Sequence, residues 1–296
     1  MEKELLVYID GQYYPKSQAK ISVYDHGLLY GDGVFEGIRA YNAVVFKLKE
    51  HIDRLYRSAH AIMLRIPLTK EEMIQAVLET LRKNNFKDAY IRLVVTRGVG
   101  DLGINPNKCP KPSIIVITDT ISLHKSEAKE KGVTAMISWV KRDSVDATTH
   151  EIKSLNYLNS VLAKIEANIS GVDEAICLDK NGFICEGAAE NIFIVKNGKI
   201  LTPPSYTGAL PGITARVAIE LCKKLGYEVV ETNLTPYELF TADEVFFTGT
   251  AAEIVAVREI NKRQIGSGIP GPITKKLMEQ FSRVIQDPNN GVPIYP

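Results

Sequence analysis

Lys153, in His150-Glu-Ile-Lys-Ser-Leu-Asn-Tyr157, is the amine best placed by its neighbours for covalent chemistry. Apolar residues at Leu155, Leu158, Leu162, Ile165 and Ile169 recur at helical spacing, which puts Lys153 at the start of that helix. The partial positive charge of a helix N-terminus disfavours an ammonium and favours the neutral amine. A neutral amine is what Schiff-base formation requires. Read alone, a solvated lysine that happens to begin a helix is the commoner case.

Three further segments offer groups for an anion or a ring. In Leu210-Pro-Gly-Ile-Thr214, Gly212 allows close backbone approach, and the Ile213 and Thr214 amides sit at the positive end of the next helix. That makes a phosphate cradle or an ordinary Pro-Gly helix start. Thr248-Gly-Thr-Ala-Ala252 adds small-residue amides and the Thr250 hydroxyl. In Cys185-Glu-Gly-Ala-Ala-Glu-Asn191, Glu186 precedes small residues, so its carboxylate has room beside a bound ring; a solvated hairpin carboxylate is the plainer alternative. On strands, Phe35, Gly37 and Arg39 share one face, and Tyr90 and Arg92 share another. Each face is a cleft wall or a solvated surface. Arg54 flanks the apolar stripe of its helix, with Glu50 or Asp53 as the simplest partner.

Some patterns are set aside. Gly266-Ser-Gly-Ile-Pro-Gly271 has the dinucleotide-binding spacing, but too little chain follows to complete a βαβ unit, so it reads as a turn. There is no G-x-S-x-G and no Walker A sequence. The 4 cysteines form no C-x-x-C pair and read as free buried thiols in a reducing cytosol, and the 5 histidines form no H-E-x-x-H, so no metal site is expected.

The elements that must position these residues follow from periodicity and turn signals. A hairpin turns at Asp10-Gly11, and Val34–Tyr41 reads as a strand. A helix carries Ile52, Leu55, Tyr56, Ala59 and Met63; the next opens with a Thr69/Glu72 capping box. Strands at Ala89–Thr96 and Ser113–Thr118 flank a Gly-rich loop running from Arg97 to Pro106. Beyond a strand at Val133–Val140 come hairpins at Asn181-Gly182 and Asn197-Gly198, a helix from Ile213 to Leu225, strands at Glu244–Thr248 and Ile254–Val257, and a last helix from Ile273. Hairpins outnumber strand–helix alternations, so the class is α+β. The domain expectation is 1–118, a linker at 119–127, and 128–296.

Lys+Arg 36 against Asp+Glu 35 leaves a net charge of +1, which removes the basic footprint that nucleic-acid binding requires. The opening residues read as a hairpin strand rather than a signal peptide. The longest apolar run, Ile114–Ile117, is far short of the ~20 residues that span a bilayer. Cytoplasmic location without membrane or nucleic-acid partners is the expectation.

Taken together, the chain resembles the fold-type IV pyridoxal-phosphate enzymes, most closely the branched-chain amino-acid aminotransferases. Seven segments in order carry the resemblance: Tyr30-Gly-Asp-Gly-Val-Phe-Glu-Gly-Ile-Arg39, His51-Ile-Asp-Arg-Leu55, Tyr90-Ile-Arg92, Lys153-Ser-Leu-Asn-Tyr157, Glu186-Gly-Ala-Ala-Glu-Asn191, Leu210-Pro-Gly-Ile-Thr214 and Thr248-Gly-Thr-Ala-Ala-Glu253. The resemblance implies two domains, a smaller α/β N-terminal one and a larger C-terminal one with a β-barrel-like core. It implies transamination of branched-chain L-amino acids with 2-oxoglutarate, using pyridoxal 5'-phosphate. Lys153 would be the Schiff-base lysine. Arg54, the Ile213 and Thr214 amides and Thr250 would hold the phosphate, Glu186 the pyridine nitrogen and Tyr157 the ring hydroxyl. Tyr30, Phe35, Gly37, Arg39, Tyr90, Arg92 and Ala251 would line the substrate pocket. A homodimer with shared active sites, or a higher oligomer, is also implied, with Gly100–Pro106 as a closing loop. D-amino-acid aminotransferases and aminodeoxychorismate lyases share the fold. The former carry an Arg-x-His pair after the Tyr90 strand, where this chain has none. A non-catalytic binding protein is the alternative from another class.

Overall fold

The computed structural model describes residues 4–120 and 127–295. Two compact units emerge: Met1–Ile121 with Ile152–Asn156 and Ile285–Pro296, and Ser122–Glu151 with Tyr157–Val284. The expected linker at 119–127 falls mainly at 121–126, outside the described residues.

The first unit is built on an antiparallel sheet. β1 (Leu6–Ile9) and β2 (Gln12–Pro15) form the hairpin; α1 (His26–Tyr30) leads to β3 (Gly33–Tyr41) and β4 (Val44–Phe46). Helices α2 (Leu48–Ala61) and α3 (Lys70–Lys83) follow, then β5 (Ala89–Thr96) and β6 (Ser113–Asp119). The sheet order is β4-β3-β5-β6-β1-β2. Val34 and Ile38 of β3, with Ile91, Leu93 and Val95 of β5, bury fully on the face that α2 and α3 cover with Leu48, Ile52, Leu55, Met73, Val77 and Leu81. The capping box forms as expected: Thr69 Oγ1 accepts from the Glu72 amide at 3.2 Å, and Glu72 accepts from the Thr69 amide at 2.7 Å.

The second unit opens with α4 (Glu127–Lys131), β7 (Val133–Ile137) and α5 (Leu158–Ile169). Hairpins β8 (Glu174–Leu178)–β9 (Ile184–Gly187) and β10 (Asn191–Lys196)–β11 (Lys199–Thr202) come next. Then follow α6 (Ile213–Lys224), β12 (Val229–Glu231), α7 (Pro236–Phe240), β13 (Glu244–Gly249), β14 (Glu253–Ile260), β15 (Arg263–Gln264) and α8 (Pro272–Gln286). The strand order is β12-β11-β10-β13-β14-β7-β8-β9, with β15 on β14. A tight turn, with the Gly187 amide donating to Glu190 C=O at 2.7 Å, brings β9 round to β10, so the sheet curls into a half-barrel over a core of Ile176, Ile192, Ile194 and Phe247.

The chain then returns. β16 (Gly291–Pro293) pairs antiparallel with β4, which assigns the last residues to the first unit.

One expectation about the Leu155–Ile169 helix is corrected. It starts at Leu158, leaving Lys153 upstream in extended backbone. Its apolar stripe also faces outward in the single chain: Leu158, Val161, Leu162, Ile165 and Ile169 are exposed, while Ser160, Ala163 and Ala167 are buried. Small residues win the inner face because Ala175, Cys177 and Ala188 crowd it.

Candidate active site

Lys153 is held by backbone pairing rather than by a helix end. The Phe35 amide donates to Lys153 C=O at 3.0 Å, Val34 and Ser154 form an antiparallel bridge, and the Leu155 amide donates to Gly33 C=O at 2.9 Å. The Lys153 amide donates to Ser58 Oγ on α2 at 3.2 Å. The segment is thus a short extra strand on the end of β3. Its ammonium lies 4.5 Å from the centroid of the Phe35 ring, a cation–π distance.

Beneath that face, Arg54 is 4% exposed and pairs with neither Glu50 nor Asp53 as expected, but with Glu36 of β3. Nε donates to Oε1 at 2.7 Å and Nη2 to Oε2 at 2.8 Å, a fork-on-carboxylate arrangement. His51 Nδ1 lies 2.7 Å from Oε2. Burial alone would raise the Glu36 carboxyl, but the Arg54 guanidinium and the His51 ring beside it bring it down to about 2. Burial lowers His51 despite the carboxylate, so the ring is neutral at pH 7 with its proton on Nδ1, the nitrogen facing Glu36.

On the other face of β3, Phe35, Gly37, Tyr90 and Arg92 come together. Register pairs Gly37 with Arg92 and Arg39 with Tyr90. The Arg92 guanidinium sits 4.6 Å over the Phe35 ring, and its Nη2 is 3.3 Å from Tyr90 Oη. A Cβ at Gly37 would lie 2.2 Å from that hydroxyl, so any side chain there would push the Tyr90 ring aside. Arg39 stacks 4.9 Å over Tyr41, and its buried Nε has no hydrogen-bond partner among the described residues. Tyr30, at the end of α1, donates its hydroxyl to Leu102 C=O in the Gly-rich loop. His26 Nε2 reaches Asp101 C=O of the same loop at 2.8 Å.

In the second unit, Glu186 ends β9, 5% exposed. Its Oε2 accepts from the Leu210 amide at 2.9 Å, and Arg142 Nε stands 3.1 Å from Oε1, close enough for ion pairing though not aligned as a hydrogen bond. Arg142 is itself fixed: Nη1 donates to Asn159 Oδ1 and Ser160 Oγ at 2.9 and 3.1 Å, and Nη2 to Gly187 C=O at 2.6 Å. Burial opposes the Arg142 charge, yet Glu186 more than restores it and raises its pKa.

Ile213 and Thr214 are the buried first residues of α6, whose N-cap, Gly212, carries no capping side chain. A Cβ at Gly212 would fall 2.0 Å from Asn191 Oδ1, while Asn191 Nδ2 donates to Leu210 C=O at 2.7 Å. A side chain at position 212 would therefore displace Asn191. Thr250 and Ala251 lie in the turn joining β13 to β14, just past Thr248, whose buried hydroxyl has no partner among the described residues. Tyr157 precedes α5, its ring 6.0 Å from that of His150.

Sequence reasoning missed Glu36, His51 and Arg142. A signal existed for Glu36: it alternates with Val34 and Ile38 on the inward face of β3, where a charge needs a partner. Arg142 lies in irregular chain, and its partners are remote in sequence.

Residues 33–260 match the family model described as amino-transferase class IV. A Methanocaldococcus jannaschii protein, whose name assigns it provisionally as a branched-chain-amino-acid aminotransferase, is 59% identical over 94% of this chain and 96% of its own. The chain belongs to the class IV aminotransferases. The solved branched-chain amino acid aminotransferase of Escherichia coli superposes with a TM-score of 0.93 at 39% identity, covering 96% of this chain and 95% of that one. The Thermobaculum terrenum enzyme of the same name, solved in its PLP-bound holo form, gives 0.89 at 29% identity over 100% of both chains. The architecture is therefore that of the fold-type IV aminotransferases, and the cofactor is pyridoxal 5'-phosphate.

A pyridoxal phosphate asks for an amine, a buried carboxylate for its ring nitrogen and a set of amides for its phosphate. The residues present in each unit fit that demand: in the first, Lys153 with its amide on Ser58; in the second, a buried Glu186 fixed by Arg142 and Leu210, and a helix start at Gly212 with no capping side chain. The Thr248 hydroxyl, next to the Thr250 turn, adds a buried polar group of the same kind.

Proposed function

We propose that this chain transfers the amino group of branched-chain L-amino acids (leucine, isoleucine and valine) to 2-oxoglutarate, using pyridoxal 5'-phosphate and releasing branched 2-oxo acids and L-glutamate. The observation that carries this reading is near-full-length likeness, 59% and 39% identical, to proteins named for that activity.

When bound, the cofactor supplies an electron sink for the pair left behind at the substrate Cα. Lys153 would hold the cofactor aldehyde, and its Nζ would carry the substrate Cα proton and return it. The backbone pairing of its segment to β3 and the Ser58 bond fix that amine's path. Glu186 stays anionic beside Arg142 and the Leu210 amide, and so holds a proton on the ring nitrogen. Tyr157 bonds the ring hydroxyl. Arg54, the amides of Ile213 and Thr214, and Thr250 grip the phosphate. Phe35, Gly37, Tyr90, Ala251 and Tyr30 contact the substrate side chain, with Arg39 or Arg92 available to the second carboxylate of glutamate.

The enzyme works in the cytoplasm as a homodimer with shared active sites, or a larger homo-oligomer. All 4 cysteines are free, which suits a reducing compartment. No helix among the described residues is long and apolar enough to cross a membrane. The exposed stripe on α5, and Leu28, Leu29, Leu102 and Ile104 around the Gly-rich loop, offer apolar surface for subunit contact.

Mixing the purified protein with L-leucine tests the reading. Loss of the visible absorbance of the lysine-bound cofactor, with 4-methyl-2-oxopentanoate formed, is the expected result. A colourless protein, bleaching only by D-amino acids, or pyruvate release from aminodeoxychorismate would overturn it.

A further inference from the structure

Glu36 occupies a position where the fold has no use for a charge. It stands on the inward face of β3 with Val34 and Ile38, opposite Leu93, and is wholly buried. Ionising a carboxylate there costs several kcal/mol of desolvation even with a partner, and an apolar side chain of like volume serves stability as well or better. Its hydrogen bonds also exceed what charge balance requires. One guanidinium cancels its charge, yet a neutral His51 adds a third donor at 2.7 Å. Three donors on two oxygens leave the carboxylate no rotational freedom, and a carboxylate so fixed dictates the plane of the Arg54 fork.

The same helix face connects this cluster to the amine. His51, Arg54 and Ser58 follow one another along one side of α2; the first two hold Glu36 and the third takes the Lys153 amide.

We propose that Glu36, locked by His51, is a positioning residue that aims the Arg54 guanidinium at the cofactor phosphate. This inference rests on the reading that Arg54 contacts that phosphate, and deepens it. An arginine left free surrenders its rotamer entropy when it binds an anion; one already clamped through Nε and Nη2 has lost that freedom on folding. The carboxylate also repels a phosphate, so removing its charge would mix two opposed effects. Glu36→Asp separates them. It keeps the charge but is one methylene too short to hold the fork.

The test compares binding of pyridoxal 5'-phosphate with binding of pyridoxal, which lacks the phosphate, to the full-length chain, read by the visible absorbance of the bound cofactor. The preference for the phosphorylated form is the quantity to follow. In Glu36→Asp, Kd for the phosphorylated form should rise about 10-fold, the size of a lost charge-assisted hydrogen bond, with Kd for pyridoxal unchanged. His51→Ala should weaken the preference in the same direction by a smaller factor. His51→Asn, which restores a donor near the Nδ1 position, should recover it. Arg54→Lys is the control for the underlying reading. If it leaves the preference unchanged, Arg54 does not hold the phosphate. If it weakens the preference while the Glu36 and His51 variants do not, the phosphate contact stands and the positioning role is wrong. Equal weakening of both ligands in Glu36→Asp and His51→Ala would reduce the cluster to a structural one and likewise overturn the proposal.

Discussion

Two buried arginine–carboxylate pairs, Arg54–Glu36 in the first unit and Arg142–Glu186 in the second, are wired in opposite senses. In the first unit the carboxylate is the fixed part: Glu36 is clamped by His51 and by two nitrogens of Arg54, and Arg54 is the group proposed to meet the phosphate. In the second unit the arginine is the fixed part. Arg142 is tied to Asn159, Ser160 and Gly187, and Glu186 is the group proposed to meet the ring nitrogen. In both, each buried charge is compensated by its partner, whose loss would leave the other uncompensated. A phosphate needs an aimed cation, and a ring nitrogen needs a carboxylate that stays ionised.

The comparison breaks most visibly at Glu186. Glu186→Gln keeps the shape but removes the charge beside Arg142, so it should retain cofactor yet lower the rate of Cα proton removal about 100-fold or more, read by stopped-flow with leucine. Glu36→Asp should do the reverse, weakening cofactor retention first. An unchanged rate in Glu186→Gln would mean that the second pair is merely structural.

Acid should reveal the first pair more gently. A His51 ring kept neutral by burial opposes folding once it must be protonated, so its contribution is present above 6.5 and fades below it. Glu36, held at about 2 against an ordinary 4.5, contributes fully above 4.5 and loses that contribution as pH falls towards 2. Both signs agree. Unfolding by denaturant should therefore show stability declining from pH 6.5 downward, with His51→Asn flattening the upper part; a wild-type profile flat to pH 4 would contradict this wiring.

What the sequence made legible was whatever is local. The β5 strand at Ala89–Thr96, the Thr69/Glu72 cap and the Asn-Gly hairpins depend on near neighbours, and they form as read. The Lys153 segment was misjudged because its conformation is set by distant backbone, β3 and Ser58, and not by the helix that follows it. The direction of the α5 apolar stripe is set for a related reason. Periodicity reveals that a helix has two faces, but the crowding of Ala175, Cys177 and Ala188 decides which one turns inward. The family was recognisable from seven ordered segments, whereas His51 and Arg142 act across the fold and carry no spacing of their own, and Glu36 shows itself only as a charge at an inward position of β3.

The proposed chemistry depends on Lys153 and its covalent bond. Borohydride reduction of the purified protein, digestion and mass spectrometry should place a phosphopyridoxyl group on the peptide containing Lys153, and nowhere else in quantity. An unmodified Lys153 peptide, or the group on another lysine, would contradict it.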